Sequence, residues 1–239
     1  MRPGPKPKGK VKCIWSPKFA YAIGLIATDG CLSKDGRHVD LTSKDRDQLI
    51  TFLVCLGIDS GISLKSSGSS TKKYLRVQIG DVLFYKFLVS LGLTPAKSKT
   101  LGKLKIPKEY FFDFLRGVFD GDGSFYSYYD PRWKSSFMFY TTFVSASVTF
   151  VAWLRKEIYH KIGVRGHFYD GTSGNKNISN LRYAKTESLK ILRAMYYTHN
   201  IPCLERKRLK IEKALSIIGV QLNGHARVVK PGKHASLRC

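Results

Sequence analysis

A chain of 239 residues with 43% apolar and 13% aromatic side chains can bury one sizeable core or two fused small ones. Its 41 Lys and Arg against 17 Asp and Glu leave a formal charge of +24, a self-repulsion that calls for a polyanionic partner, nucleic acid first, although a ribosome-associated protein would share that balance. No run approaches the roughly 20 apolar residues of a membrane span, and Cys13, Cys31, Cys55, Cys203 and Cys239 form neither a CxxC zinc pattern nor an even disulfide frame. Cys31 and Cys55, among apolar neighbours, read as core thiols, which suits a reducing intracellular compartment: a bacterial or archaeal cytoplasm, or an organelle interior.

Residues 1–15 read as a basic, proline-punctuated arm that cannot bury an apolar face. Ser16-Pro17 then reads as an N-cap followed by Pro at the first helical position, opening a helix over 17–28. A hairpin follows, with strands at 31–33 and 37–42 around an Asp35-Gly36 turn. Next come an amphipathic helix at 45–56, a second hairpin at 62–66 and 73–79, and a helix at 81–91 stopped by Gly92. The same order recurs: a helix at 107–121, strands at 124–129 and 136–144, a helix at 149–162, and strands at 166–170 and 178–184. Helices at 186–199 and 205–217 follow, and residues 219–239 form a second basic tail. The expected fold is α+β, a tandem αββαββα repeat with pseudo-twofold symmetry, its first half at 16–102 and its second at 103–218.

The repeat has a specific seam. Residues 22–30, AIGLIATDG, recur 93 positions later as LRGVFDGDG at 115–123, and in both an Asp-Gly pair closes an apolar helical run. Ala20, Gly24 and Thr28 on one helix and Gly117 and Gly121 on the other make stripes of small side chains that can pack backbone to backbone. If the stripes meet, Asp29 and Asp122 emerge side by side at two helix C-termini, where the helix dipoles and each other's charge disfavour ionisation. Hard divalent cations relieve such a cluster, and each Asp with the backbone carbonyl before it, of Thr28 and of Gly121, could hold one. An EF-hand reading of the stretch from Asp120 fails, because Phe125 stands at position six and Pro131 at position twelve. Asp120 has only Ala27 as its counterpart, so it reads as helix-end structure.

Each nonapeptide matches five of the nine letters of LAGLIDADG, and the chain on these residues resembles a single-chain LAGLIDADG homing endonuclease over residues 16–218. The resemblance implies two antiparallel sheets forming a DNA-binding saddle, with the motif helices packed at its centre. It implies catalytic, metal-binding roles for Asp29 and Asp122, with basic residues supplied by a loop late in each repeat. That loop reads PAKSKTL at 95–101 and CLERKRL at 203–209, giving Lys97 and Lys207 as the contacts to phosphate, with Lys99 and Arg206 as rivals two positions and one position away. Ser43 and Ser145 fall at the strand end where the family often carries a longer polar side chain, and they stay outside the catalytic set.

Strand alternation also separates a solvent face from a core face. In the first half Ser33, His38, Asp40, Thr42, Lys65, Tyr74, Arg76 and Gln78 point outward. In the second half Tyr126, Tyr128, Met138, Tyr140, Thr142, His167, Tyr169, Asn180 and Arg182 do so. The two sets differ at matching positions, which points to an asymmetric rather than palindromic duplex as partner. The resemblance implies a monomeric, site-specific, Mg2+-dependent double-strand endonuclease that leaves short 3' overhangs. Mn2+ should substitute, and Ca2+ should support binding without efficient cutting. An intron-RNA maturase and a non-cleaving DNA-binding regulator remain the alternatives within the same family.

Overall fold

The computed structural model describes residues 9–222 apart from 68, 69, 134, 174 and 175, and the side chains of 66–73 and 173–176 are likewise outside the description. The first half runs α1 (Pro17–Thr28), β1 (Gly30–Leu32), β2 (His38–Ser43), α2 (Arg46–Leu56), β3 (Ile62–Ser67), β4 (Ser70–Gly80) and α3 (Val82–Leu91). The second runs α4 (Phe111–Asp122), β5 (Ser124–Tyr129), β6 (Phe137–Ser145), α5 (Val148–Ile162), β7 (His167–Ser173), β8 (Lys176–Ala184) and α6 (Lys185–Met195), followed by α7 (Glu205–Ile217). Each half has one open, four-stranded antiparallel sheet, in the order β1-β2-β4-β3 and β5-β6-β8-β7. Val39, Leu41, Val77 and Ile79 in the first sheet, and Phe125, Phe139, Phe143 and Leu181 in the second, turn one face into a core shared with the helices.

Local chemistry sets most boundaries. Ser16 caps α1 by accepting from the Phe19 N–H at 3.1 Å, and Asp81 caps α3 by accepting from Phe84 N–H at 3.0 Å. Gly57, Gly92 and Gly163 end α2, α3 and α5 in the left-handed conformation, which costs glycine little. Two expectations are corrected. The segment before α1 is not a free arm from residue 9 onward. The Lys10 and Val11 N–H groups donate to the same Asp81 carboxylate at 2.5 and 3.0 Å, Val11 is buried, and Trp15 stacks on Tyr110 at 6.3 Å. Residues 1–8 of that arm, and 223–239 of the basic tail, lie outside the described residues.

Secondly, α6 stops at Met195 rather than running to 199. Arg116 of α4 is fully buried and donates to the Met195 carbonyl at 2.6 Å and the Pro202 carbonyl at 2.8 Å, with its charge met by Asp113 at 2.7 Å. The buried guanidinium takes the Met195 carbonyl, which another helical turn would have used.

The two halves meet where α1 lies along α4. A Cβ on Gly24 would stand 2.8 Å from Gly117 Cα and the Val118 nitrogen, and one on Gly117 would stand 3.0 Å from Gly24 Cα. The flanking carbonyls match as well: that of Phe114 lies over Gly24, and that of Tyr21 over Gly117. Residues 93 apart thus touch reciprocally, the signature of a twofold contact. Among the described residues no helix is long and apolar enough to cross a membrane.

Gly117→Ala is expected to destabilise the chain by roughly 1–3 kcal/mol despite the ~1 kcal/mol gain in helix propensity, because its methyl meets backbone on both sides. Gly102→Ala, whose Cβ would have nothing within 4 Å, should stay within about 0.5 kcal/mol of the parent. Urea unfolding of both variants measures the difference.

Candidate active site and nucleic-acid interface

The α1–α4 contact carries both acids to one place. Asp29 is the C-terminal cap of α1 and Asp122 the last residue of α4, and a Cβ on Gly121 would lie 2.9 Å from Asp29 Oδ2. Burial and the neighbouring Asp122 carboxylate push the Asp29 pKa up to about 7, although Lys207 and Lys97 pull it down. The Asp122 pKa is also raised, again by burial and again opposed by Lys207 and Lys97. The two carboxylates therefore share one electrostatic problem, as parallel helix ends require.

Both lysines proposed from the late loops reach this seam, and they do so symmetrically. Lys97, in a 3-10 turn at Lys97–Lys99, is buried and donates to the Gly30 carbonyl at 2.5 Å. Lys207, in the first turn of α7, donates to the Gly123 carbonyl at 2.7 Å, and Gly30 and Gly123 are the same letter of the two motifs. Lys207 also donates to the carbonyls of Phe119 at 2.6 Å, Asp120 at 2.9 Å and Gly121 at 3.3 Å, covering the end of α4. Burial lowers the Lys207 pKa to about 8 and lowers that of Lys97 as well. The rivals lie elsewhere: Lys99 is exposed, and Arg206 is held bidentately by Asp45 at 2.8–3.1 Å.

The proposed donor set for a divalent ion is all oxygen, as a hard cation prefers. Gly121 O already accepts from Lys207, at the longest of that lysine's four distances, and a carbonyl keeps a second lone pair. The Thr28 hydroxyl donates to the Leu25 carbonyl at 3.1 Å, and its own carbonyl is the donor proposed for the ion. No group of three or more His, Cys, Asp or Glu gathers among the described residues, so any ion here would need oxygens from a bound phosphate or water.

Two buried polar residues outside the proposed catalytic set brace the seam: Asp120, the sixth letter of the second motif, and Gln48, which lies outside both motifs. Asp120, fully buried, accepts from Tyr21 Oη at 2.8 Å and from the Leu204 N–H at 2.6 Å, so one side chain ties α1 to α4 and caps α7, whose own N-cap Leu204 offers no acceptor. Gln48 is buried on α2 and crosses to the Asp120 carbonyl at 3.3 Å, with its own oxygen held by Ser43 at 2.6 Å. A glutamine inside an otherwise apolar helix face was the one sequence signal for it.

The sheet faces turned away from the helices hold the candidate reading residues. The registers Asp40↔Gln78, Thr42↔Arg76 and Lys65↔Tyr74 put the first set on one face, with Lys44 over the Tyr74 ring. His38 is fixed by Asp35 at 2.5 Å, and Ser33 stands just past β1, with its carbonyl held by Tyr85. Asp40 was expected to point outward, yet its carboxylate is nearly buried between Lys65 and Arg76, each 3.6 Å away, so it tethers those two cations. The reverse applies to Cys31, expected in the core and found exposed on this face beside Asp40. In the second sheet the registers Tyr126↔Tyr140, Tyr128↔Met138, Thr142↔Arg182, His167↔Arg182 and Tyr169↔Asn180 likewise share one face. Thr142 and Asn180 are nearly covered there, while Arg182 is exposed and lies over both Tyr140 at 5.6 Å and Tyr169 at 5.0 Å.

This architecture is the LAGLIDADG fold. Over 82% of this chain and 97% of the other it is similar to the homing endonuclease I-DmoI in complex with DNA and Ca, at 13% identity and TM-score 0.53. Over 85% and 90% it is similar to the LAGLIDADG meganuclease I-AabMI bound to uncleaved DNA, at 16% identity and TM-score 0.53. It is equally similar to full-length DUF199/WhiA from Thermatoga maritima, at 15% identity and TM-score 0.53, covering 88% of this chain but only 64% of that one. Identities this low speak for fold alone. No protein-family model matches the chain, and no curated protein matches it.

The raised Asp29 pKa gives a pH signature. A carboxyl whose folded pKa lies above its unfolded value binds more protons in the native state, so its ionisation drains stability as pH rises from about 4 to about 7. Asn cannot ionise. In EDTA, Asp29→Asn should match the parent near pH 4 and exceed it by roughly 1–3 kcal/mol at pH 7.5, allowing for residual hydration of the site. Urea unfolding across that window checks it; a constant offset would mean that Asp29 ionises freely.

Proposed function

We propose that the chain is a monomeric, site-specific double-strand DNA endonuclease acting on a long asymmetric target, one strand cut at each side of the seam to leave short 3' overhangs. The observation that carries this reading is the pair of carboxylates at reciprocal helix ends, each with a buried lysine at the equivalent motif carbonyl. A purely structural seam would have no reason to keep two destabilising acids in one place.

Asp29 and Asp122, with the Thr28 and Gly121 carbonyls, would hold Mg2+ here, and the ion would supply Lewis-acid stabilisation of charge on the phosphate. Lys97 and Lys207 place two positive charges at the seam, where a phosphodiester gathers negative charge during hydrolysis. The sheets flank this seam because β1 and β5 leave directly from the motif helix ends, and the +24 charge draws the duplex onto them. The DNA carried by I-DmoI and I-AabMI, and the Ca, Mn or Mg in structures of I-DmoI and its variant, support both partner and metal class.

Asp29→Asn and Asp122→Asn should each abolish double-strand cleavage and leave duplex binding within about tenfold, since no positive phosphate contact is removed. Ca2+ in place of Mg2+ should preserve binding and suppress cutting. A duplex recovered by selection from a randomised library, cut in Mg2+ and resolved strand by strand, provides the assay; robust cutting by the double Asn variant would overturn the catalytic assignment.

The two arginines should behave as readers of separate half-sites. Arg76→Ala or Arg182→Ala should cost roughly 1–3 kcal/mol and relax preference at one or two positions in its own half only. Cleavage of every single-base variant of the target measures this, and uniform loss across the site would make them phosphate contacts instead.

A further inference from the structure

The two reading faces differ in kind. On the first, the exposed or half-exposed groups are mostly charged or amide, Lys65, Arg76 and Gln78, with Asp40 between the cations, His38 fixed by Asp35 and a single ring, Tyr74, under Lys44. On the second, the β5–β6 hairpin presents Tyr126, Tyr128, Met138 and Tyr140 with no charge among them. Tyr126 is 60% exposed, and the other three are partly so. Their rings run as a ladder, Tyr126 to Tyr128 at 5.4 Å and Tyr128 to Tyr140 at 6.3 Å, with planes inclined by 29° and 12°. Arg182 continues it from Tyr140 to Tyr169, and Tyr169 stacks on His167 at 5.5 Å.

The tyrosine hydroxyls can reach phosphate, but the apolar ring and thioether surfaces gain nothing there, and their value against a duplex comes from base edges. In the major groove, donors and acceptors reward polar side chains, while the one apolar group on offer is the thymine C5-methyl. Splayed single-stranded bases would instead need free ring faces, yet Tyr128 has neighbouring rings at both Tyr126 and Tyr140. The stacking also fixes the rings in advance of binding, so contact costs little rotamer entropy.

We propose that the second sheet reads its half-site through thymine methyls against Tyr126, Tyr128, Met138 and Tyr140, so that the target of this chain is thymine-rich under β5 and β6 and read polar group by polar group under the first sheet. This rests on the reading of the chain as a sequence-specific duplex binder. Arg182, lying over Tyr140 and Tyr169, supplies a charged contact beside them.

The test uses the full chain in Ca2+ and a duplex selected from a randomised library, with the half under the second sheet assigned as the one whose preferences change in Arg182→Ala. Thymines of either half are then replaced by deoxyuridine, which removes the methyl and keeps every hydrogen-bonding edge. Affinity should fall about fourfold for each contacted methyl removed in the second half and stay unchanged in the first. A Tyr126→Ala, Tyr128→Ala variant with parental melting should lose most of that discrimination. The parent protein alone suffices if the variant fails to fold. Equal binding of thymine and uracil duplexes, a selected second half without thymine, or tighter binding of single strands than of the duplex would each overturn the proposal while leaving cleavage in Mg2+ to stand. Failure to enrich or cut any duplex would remove the endonuclease reading itself, and the methyl readout with it.

Discussion

The structure depends on one contact, the approach of α1 to α4 at Gly24 and Gly117 with no side chain between them. Because the approach is between equivalent positions of a repeat, whatever follows each glycine by five residues is brought together at the same level. Those residues are Asp29 and Asp122. A bulkier residue at either glycine would separate both the halves and the acids, so packing and the candidate chemistry share a single steric requirement. The cost is electrostatic, and it appears as raised pKa values at both carboxylates.

The rest of the seam can be understood as a response to that cost. Lys207 places its ammonium on four carbonyls at the end of α4, and Lys97 places its own on the matching carbonyl after α1. Each gives up hydration for these bonds, and burial depresses both pKa values. Asp120 and Gln48 then fix the helix ends from the sides. The two seams are alike in their acids and lysines but unlike in these braces, since Ala27 stands where the second half has Asp120. Divergence of the halves reaches the sheet faces too, charged on one side and tyrosine-lined on the other, which suits a duplex without internal symmetry.

Much of this was legible in the sequence because it lies in local periodicity. The small-residue stripes, the Asp-Gly pairs, the Ser16-Pro17 start and the glycine stops are all signals within one or two turns. What was not legible depends on groups distant in sequence. The loop lysines could not be told from Lys99 and Arg206 until the 3-10 turn and the Asp45 bridge fixed which side chain turns inward. The end of α6 is set by Arg116, some 79 residues earlier. Residues 10 and 11 read as part of a free arm because their partner, Asp81, is the cap of a helix about 70 positions away. Alternation placed Asp40 on the correct face, yet alternation cannot tell that two cations and the sheet itself would cover it.

The central claim is that the two motif acids form one site, and the position of a bound metal is its most direct measure. Crystals of the chain with a selected duplex and Mn2+, examined by anomalous scattering, should place manganese against both Asp29 and Asp122, with DNA phosphate completing its ligands. Manganese bound elsewhere beside a metal-free seam, in crystals where the duplex has nonetheless been cut, would contradict it.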